Sequence, residues 1–233
     1  MLAVNVEATE RDKFLFLLAV TSGSADGWSF LRLGHAFVAN MTGNTVLLGI
    51  SIFGKDGNVL HPLVSLAAYG VGVAAGSFLT RHVKPGSIWS KSVSLTLLLE
   101  TLLLFAAAVG WIKIHAAPSR AESLILLGCV ATGIGLQSGA LLPLRLPGII
   151  TTYITGTWTT FVSGLVLIDS SRVRVRPSKD SFEERLLLQA VFLMVYFLSA
   201  VVTGLVSEQT PRLLGGLPSI PVLLVVIWSA WIG

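Results

Sequence analysis

Apolar residues gather along this chain into long runs, which short polar breaks separate from one another. A helix needs roughly 20 apolar residues, with about 17 as a minimum, to cross the hydrocarbon core of a bilayer. Runs close to that length therefore predict membrane-spanning segments. Eight such runs occur, at residues 14–30, 36–53, 63–80, 92–111, 123–142, 148–168, 186–206 and 217–232.

The composition turns this pattern into a prediction of protein class. Hydrophobic residues make up 53% of the chain and charged residues only 12%, against about 25% charged residues in an average soluble protein. The mean hydropathy is +0.80. A soluble enzyme and a disordered chain are excluded, and the single cysteine, Cys129, excludes a disulfide scaffold. We predict an all-α integral membrane protein.

The distribution of basic residues predicts where the ends and loops lie. The net charge is +4, and the Lys and Arg residues lie in the short breaks between the apolar runs. Membrane proteins show this distribution because Lys and Arg are preferred in cytoplasmic loops. This placement argues against nucleic acid as a partner. The break at 169–185 holds five basic residues and is predicted to be cytoplasmic. Residues 1–13 show no signal-peptide pattern, and we expect them to form a cytoplasmic tail of a multi-pass inner (plasma) membrane protein.

The chain matches itself at a shift of 113 residues. Leu-Arg-Leu at 31–33 falls on the same string at 144–146, and Thr-Gly at 42–43 falls on Thr-Gly at 155–156. Gly-x-x-x-Gly at 23–27 also recurs at 135–139. Such self-similarity indicates duplication. We predict two tandem membrane repeats of four apolar segments each, at residues 14–111 and 123–233, joined by a linker at 112–122.

The second apolar run of each repeat is predicted to be discontinuous. Residues 36–41 and 149–154 are rich in β-branched and aromatic side chains, which favour extended backbone. A Thr-Gly pair follows each of them, and helical patterns then occupy 45–52 and 157–168. Irregular backbone at membrane depth survives only where protein or a wet cavity covers it. Transporters place substrate sites at such paired breaks.

The number of crossings stays open at this stage. If all eight runs cross, the cytoplasmic side carries 10 basic residues and the outside 6. If the second run of each repeat re-enters, six crossings remain and the counts become 11 and 5. The first scheme makes the repeats parallel and the second makes them inverted, and one residue does not decide between them.

Two strings carry a resemblance to a known family. Asn-Met-Thr-Gly-Asn at 40–44 and Thr-Thr-Tyr-Ile-Thr-Gly at 151–156, with the segments around them, resemble the YoaK-like family of bacterial multi-spanning membrane proteins. The resemblance covers essentially the whole chain. Two departures are mild, since Gly27 stands where the family usually has Ala and Ser138 where Asn is common. The resemblance implies an inner-membrane protein of a family that is often regarded as small-molecule permeases.

The polar residues around the two breaks are the candidate solute site. Glycine allows backbone angles that other residues resist, and free backbone N–H groups at the start of a half-helix favour an anion or a carboxylate. The alternative is that small residues merely let helices pack closely. The predicted solute-binding residues are Asn40, Thr42, Gly43, Asn44, Gln137, Thr151, Thr152, Thr155, Gly156 and Thr157.

Two acids inside apolar runs are candidates for ion or proton coupling. A charge within a span costs at least about 2.5 kcal/mol on insertion scales. Asp26 either binds a proton or cation, pairs with Arg32, or reaches water at a helix end. Glu100 lies mid-span and is either a coupling site or a protonated packing residue. Arg32 and Arg145 either clamp an anionic group or anchor their helices at the interface.

The sequence therefore predicts a secondary transporter or permease for a small polar or anionic solute, with proton coupling through Asp26 or Glu100. The alternative is a non-transporting scaffold, lipid-binding module or sensor, with the Gly-x-x-x-Gly faces packing within the chain or between copies of a homo-oligomer. Four scattered histidines show no metal-ligand spacing, and no phosphate-binding loop is present. We predict no enzyme activity, no metal and no cofactor, and expect the solute and membrane lipids as partners.

Overall fold

The computed structural model describes residues 2–54, 58–114, 117–144, 154–167 and 179–232 of the chain. Within these residues, eight α-helices and two short 3₁₀ turns, Leu142–Leu144 and Pro211–Leu213, account for the regular structure. The helices are α1 (Leu2–Arg32), α2 (Met41–Ser51), α3 (Leu60–Leu79), α4 (Lys91–Lys113), α5 (Arg120–Leu141), α6 (Ile154–Leu167), α7 (Lys179–Gln209) and α8 (Gly216–Ile232).

Six of these helices are long and apolar enough to cross a membrane, which confirms the predicted class of all-helical membrane protein. The candidate spans are Thr9–Arg32, Leu60–Leu79, Lys91–Lys113, Arg120–Leu144, Phe182–Gln209 and Pro211–Trp231. The other two helices, α2 with 11 residues and α6 with 14, reach only about 16 and 21 Å at 1.5 Å per residue. Neither is long enough to cross the hydrocarbon core alone.

Polar residues at the helix starts explain several boundaries. Ser119 and Glu122 form a capping box at the start of α5, and the Ser90 hydroxyl accepts a hydrogen bond from a backbone N–H of α4. Such caps satisfy donors that the first helical turn leaves free. After α1, the chain turns at Gly34 and His35, whose φ angles are 94° and 57°. At the amino end, α1 begins at Leu2, so residues 2–13, predicted as a tail, are helical.

Pairs of contacts at two levels give the relative directions of neighbouring helices. α1 and α7 are parallel, because Asp26 contacts Tyr196 and, further along both helices, Arg32 contacts Ser207. α3 and α5 are parallel as well, with the His61–Ser123 contact near their starts and the backbones of Gly76 and Ala140 close together near their ends. Each of these parallel pairs joins one of the first four helices to one of the last four.

The remaining pairs run antiparallel. α4 meets α8 through Ser94 and Ser229 at one end and through Ala108 and Gly215 at the other. α4 is also antiparallel to α5, and α1 is antiparallel to α8. Taken together, these contacts give α1, α4 and α7 one direction and α3, α5 and α8 the opposite one. The long helices thus alternate in direction along the chain.

Glycines set the close approach of the parallel pairs. A Cβ atom at Gly72 of α3 would lie 2.2 Å from the Thr132 carbonyl oxygen of α5, and one at Gly139 would lie 2.4 Å from the Val73 carbonyl oxygen. A Cβ at Gly23 of α1 would lie 2.7 Å from the Tyr196 carbonyl oxygen of α7. The Gly-x-x-x-Gly faces therefore pack within the chain, as small-residue motifs do between membrane helices.

Candidate functional site

The first predicted break lies between α1 and α2, at residues 33–40. α2 begins at Met41, because the Asn40 side chain accepts a hydrogen bond at 3.0 Å from the backbone N–H of Gly43. The prediction that regular helix starts only at residue 45 was wrong. Thr42 and Gly43 form the first turn of the helix, since the N-cap at Asn40 outweighs the low helix propensity of Thr and Gly.

Asp26 holds the break against α1. Its Oδ1 atom accepts hydrogen bonds from the backbone N–H groups of Val38 and Ala39, both at 2.7 Å. Its Oδ2 atom accepts a hydrogen bond at 2.5 Å from the Tyr196 hydroxyl of α7. Asp26 is 5% exposed, so it neither reaches water as a helix-end acid nor pairs with Arg32. Its carboxylate joins α1, the break and α7.

Asn44 holds the break from the side of α3. Its Oδ1 atom accepts the backbone N–H of Phe37 at 2.8 Å, and its Nδ2 group donates to the Phe37 carbonyl at 2.7 Å and to the Ser65 hydroxyl at 3.0 Å. The Ser65 hydroxyl donates to the same carbonyl. A side chain that is fully buried and engaged in this way satisfies backbone groups that the break leaves without helical partners.

The second predicted break lies in part outside the described residues. Thr151, Thr152 and Arg145 belong to that part. The described part of α6 runs from Ile154 and includes the Thr155–Gly156 pair, so the predicted helix start at residue 157 was at least three residues too late. The side chain of Thr157 is buried, whereas Thr155 is exposed.

One cavity of about 240 Å³ brings Thr42 of the first Thr-Gly pair together with Thr155 and Gly156 of the second. From the first break and α2 come Asn40 and Thr42, and from α6 come Thr155 and Gly156. The remaining lining residues are Ala39, Met41, Tyr69, Ile154 and Tyr196. Four of the predicted solute-binding residues thus share one cavity, although 113 positions separate the two Thr-Gly pairs in the sequence.

Two tyrosines face this cavity that the sequence did not single out as site residues. Tyr69 lies near the middle of α3 and Tyr196 near the middle of α7. They occupy similar positions in the two predicted repeats, at a shift of 127 residues. That spacing was the one signal in the sequence that pointed to the two tyrosines. It indicates a site only if α3 and α7 pack beside the breaks, and apolar periodicity does not reveal this packing.

Four other predicted solute-binding residues do not line the cavity. Gly43 lies behind Asn40 in the first turn of α2, and Asn44 is engaged with Phe37. Thr157 is buried in α6. Gln137 of α5 donates hydrogen bonds to the Ser22 hydroxyl at 3.1 Å and to the Leu18 carbonyl at 3.4 Å, so it ties α5 to α1.

The cavity has a distinct electrostatic character. None of its lining residues in the described part of the chain carries a charge. The first turn of α2 contributes to its wall, and the start of a helix carries the positive end of the helix dipole together with unpaired N–H donors. Hydroxyl and amide groups add neutral donors and acceptors. This arrangement suits a small polar molecule or a single negative charge.

Arg32 and Glu100 lie away from the cavity lining. The Arg32 guanidinium donates to the Ser207 hydroxyl at 2.9 Å and to the Ser207 carbonyl at 2.7 Å, so it joins the ends of α1 and α7. Glu100 is fully buried in α4. Neither of its carboxyl oxygens has a hydrogen-bond partner among the residues that the structure describes.

The fold and the site define the class of this chain as a multi-spanning membrane protein in which two short helices line one cavity. The chain belongs to the family described as "Protein of unknown function (DUF1275)", which matches residues 14–228. It is 30% identical over 204 residues to the UPF0700 transmembrane protein YoaK of Bacillus subtilis (strain 168), covering 87% of this chain and 86% of that protein. The predicted resemblance is thereby confirmed. No solved structure matches the chain.

Proposed function

We propose that this protein is a secondary transporter, or permease, for a small polar or anionic solute, and that it has no enzymatic activity. The cavity lined by Thr42, Thr155 and Gly156 carries the proposal. At about 240 Å³ it is smaller than the roughly 300–1,000 Å³ of pockets for drug-sized ligands, which suits a small metabolite. Its neutral hydrogen-bonding groups and the start of α2 suit a polar group or one negative charge.

The helix directions support an inverted repeat with six crossings. In an inverted repeat, α1 corresponds to α5 and α3 corresponds to α7. The α1–α7 pair then corresponds to the α5–α3 pair. Both pairs are parallel, and α5 and α3 run in the opposite direction to α1 and α7. Because α1 and α3 are antiparallel, the segment between them starts and ends on the same side, as a re-entrant segment does. The same holds for the segment between α5 and α7. The two breaks would then enter from opposite sides and meet at the cavity, as in transporters with inverted repeats.

The orientation follows from the charges. With six crossings, the side that holds the start of α1 carries 11 basic residues and the other side 5. The preference of basic residues for the cytoplasm then puts the amino terminus and the basic segment at 169–185, whose residues 179–185 belong to α7, inside the cell, in an inner membrane. Lipids would contact the exposed apolar faces of the helices.

A thermal-unfolding screen against a few hundred metabolites tests the proposal. A solute that binds only the folded protein adds about 2.7 kcal/mol of stability at a hundredfold excess over its Kd. We expect Thr42→Val and Thr155→Val to lose this stabilisation. Thr45→Val and Thr159→Val are matched controls, because both threonines are exposed on the same two helices without lining the cavity.

Uptake into proteoliposomes then separates transport from mere binding. We expect the solute found in the screen to exchange across the membrane with the wild type and not with the Thr42→Val, Thr155→Val double variant. The alternative function is a non-transporting scaffold, lipid-binding module or sensor, as a monomer or as a homo-oligomer. A screen in which only lipids stabilise, or four threonine variants that behave alike, would favour that alternative.

A further inference from the structure

Glu100 is the buried group that the solute cavity leaves without a role. It lies near the middle of α4, and its side chain is 0% exposed. It faces Gly133 of α5, where a Cβ atom would lie 3.6 Å from the Glu100 Cγ atom. Its two carboxyl oxygens find no donor in the described part of the chain. An ionised carboxylate without donors is costly to bury, so this conformation requires the neutral, protonated acid.

Within the described residues, no cationic side chain forms an ion pair with Glu100. The helices packed most closely against α4 are α5 and α8. On the described part of α5 beyond its first turn, Cys129 is the one titratable residue, and Gly216–Ile232 of α8 contains none. Other titratable groups on neighbouring elements lie on α3, which carries His61 and Tyr69, and at Arg212 of the second 3₁₀ turn; α4 itself has Lys91 and Lys113 at its two ends.

The surroundings of Glu100 also argue for a proton over a metal cation. Na⁺ in transporters is coordinated by backbone carbonyls that unwound helix segments release, and harder cations take about six or more oxygen ligands. α4 is an uninterrupted helix from Lys91 to Lys113, so its mid-span carbonyls are used within the helix. A proton needs only the carboxylate itself.

Asp26, the other intramembrane acid, is bound in a different way. Three donors surround its carboxylate, which stabilises the charged form in place and fixes the break beside the cavity. Asp26 therefore acts as a positioning residue. We infer that Glu100 is the proton-binding site of the protein, that the coupling ion is a proton and not Na⁺, and that the conformation described here is the protonated one.

This inference rests on the proposed transport function and gives it a mechanism. α4 contacts α5 of the second half and α8, so Glu100 lies where the two halves meet. Loss of the proton leaves a carboxylate that requires water, which the closed α4–α5 contact excludes. Deprotonation thus favours a second arrangement in which this contact opens to one aqueous side, and proton binding favours the closed arrangement.

Carbodiimide labelling tests the proton site without a solute. Dicyclohexylcarbodiimide is apolar and adds to protonated carboxyl groups, so the wild type in detergent should be labelled at Glu100, less as the pH rises, and not at Asp26. Glu100→Gln should lose the label, and Glu100→Asp, which keeps the carboxyl group, should retain it. Labelling that persists in Glu100→Gln, or protection of the wild type by NaCl but not by choline chloride, would overturn the inference.

Thermal unfolding between pH 5 and pH 9 gives a second readout. The melting temperature of the wild type should fall as the pH rises, because the folded state holds the neutral acid and ionisation opposes it. Glu100→Gln should lose this part of the pH dependence and melt above the wild type at pH 9. An unchanged pH dependence in Glu100→Gln would contradict the inference.

Proteoliposomes with a trapped pH-sensitive dye separate this inference from the proposed function. The metabolite that most stabilises the wild type in the screen is added outside, and proton entry and solute exchange are both recorded. We expect proton entry with the wild type and its loss with Glu100→Gln. Solute exchange without proton entry in the wild type would overturn the inference alone. Absence of both would overturn the proposed function, while labelling would still report whether Glu100 binds a proton.

Discussion

Two regions of the membrane-spanning core each bury one acid, and their surroundings are opposite. Around Asp26, two backbone N–H groups and a tyrosine hydroxyl point at the carboxylate. Around Glu100, no donor of the described residues reaches either oxygen. Both side chains are at most 5% exposed, so burial does not distinguish them. The number of hydrogen-bond donors around each carboxyl group distinguishes the two acids. It gives Asp26 a structural role and leaves Glu100 for proton binding.

The comparison also shows why a break needs a fixed acid nearby. Irregular backbone inside a membrane has N–H groups that no water can satisfy. Asp26 meets two of these groups, at Val38 and Ala39, from a neighbouring helix. α4, by contrast, is continuous and has no free backbone group for Glu100 to satisfy. Asp26 therefore satisfies backbone groups of the break, and Glu100 satisfies none.

The largest expected effect is that of Asp26→Ala. The variant leaves three donors without an acceptor, and each buried unsatisfied group costs about 1–3 kcal/mol. We expect a loss of several kcal/mol in unfolding free energy, measured by denaturant or thermal unfolding in detergent. Asp26→Asn should restore most of it, because an amide oxygen accepts from both backbone groups and the amide nitrogen can donate to the Tyr196 oxygen. Equal destabilisation by the two variants would mean that the charge, and not the hydrogen bonds, holds the break.

Asn44→Ala extends the same comparison to the other side of the break. The variant leaves the Phe37 N–H group without an acceptor, whereas the Phe37 carbonyl keeps the Ser65 hydroxyl as a donor. It should lower the unfolding free energy by about 1–3 kcal/mol. Asn40→Ala, which removes an exposed N-cap, should cost only about 1 kcal/mol. A screen for solute binding completes the test, since Asn40 lines the cavity and Asn44 does not. The reverse order of stabilities would contradict this account of the break.

Glu100→Leu should have the opposite sign from any apolar change at Asp26. Replacing a buried polar group without partners removes a penalty of about 1–3 kcal/mol. We expect the variant to be at least as stable as the wild type near neutral pH in thermal unfolding. A marked loss of stability would show that the Glu100 carboxyl group makes an interaction in solution that opposes its assignment as a free proton site.

Gly133→Ser has the smallest expected effect. A Cβ at this position meets Leu104 and Glu100 at 3.5 to 3.6 Å, which is ordinary contact, and the new hydroxyl could donate to the carboxyl group. A neutral hydrogen bond contributes about 0.5–1.5 kcal/mol. The same change in a Glu100→Leu background is the control in a double-mutant cycle. Equal effects in both backgrounds would show that serine and Glu100 do not interact.

The sequence predicted much of the fold because apolar length is a strong constraint in a bilayer. The long helices and the two short ones overlap the predicted apolar runs. α1 and α7 begin before their runs, at Leu2 and Lys179, so residues 179–185 of the predicted cytoplasmic loop are helical. The start of α2 was misplaced because the cap at Asn40 is a local hydrogen bond that leaves no mark on apolar periodicity. The choice between six and eight crossings depended on which helices touch, and charge counts alone left it open.

Less of the candidate site could be predicted. Thr42 and Thr155 were recognisable because the Thr-Gly pairs repeat. The role of Asn44 was not, since its partner Phe37 lies seven residues away in an irregular segment. The hydrogen bond between Asp26 and Tyr196 joins residues 170 positions apart. No local sequence pattern in either helix predicts it. Closure of such distant pairs is decided by packing, in which Gly23 lets α1 approach α7.

The opposite directions of α1 and α5 have a consequence for how such a chain could arise. A half-length protein with four helices could insert into the membrane in both orientations. Two oppositely oriented copies of it would then form contacts equivalent to the α1–α7 and α3–α5 pairs. Fusion of two such genes would fix one copy in each orientation and free the two to diverge. Glu100, which has no acidic counterpart in Gly216–Ile232, is the kind of difference that only the fused chain can hold on a single side.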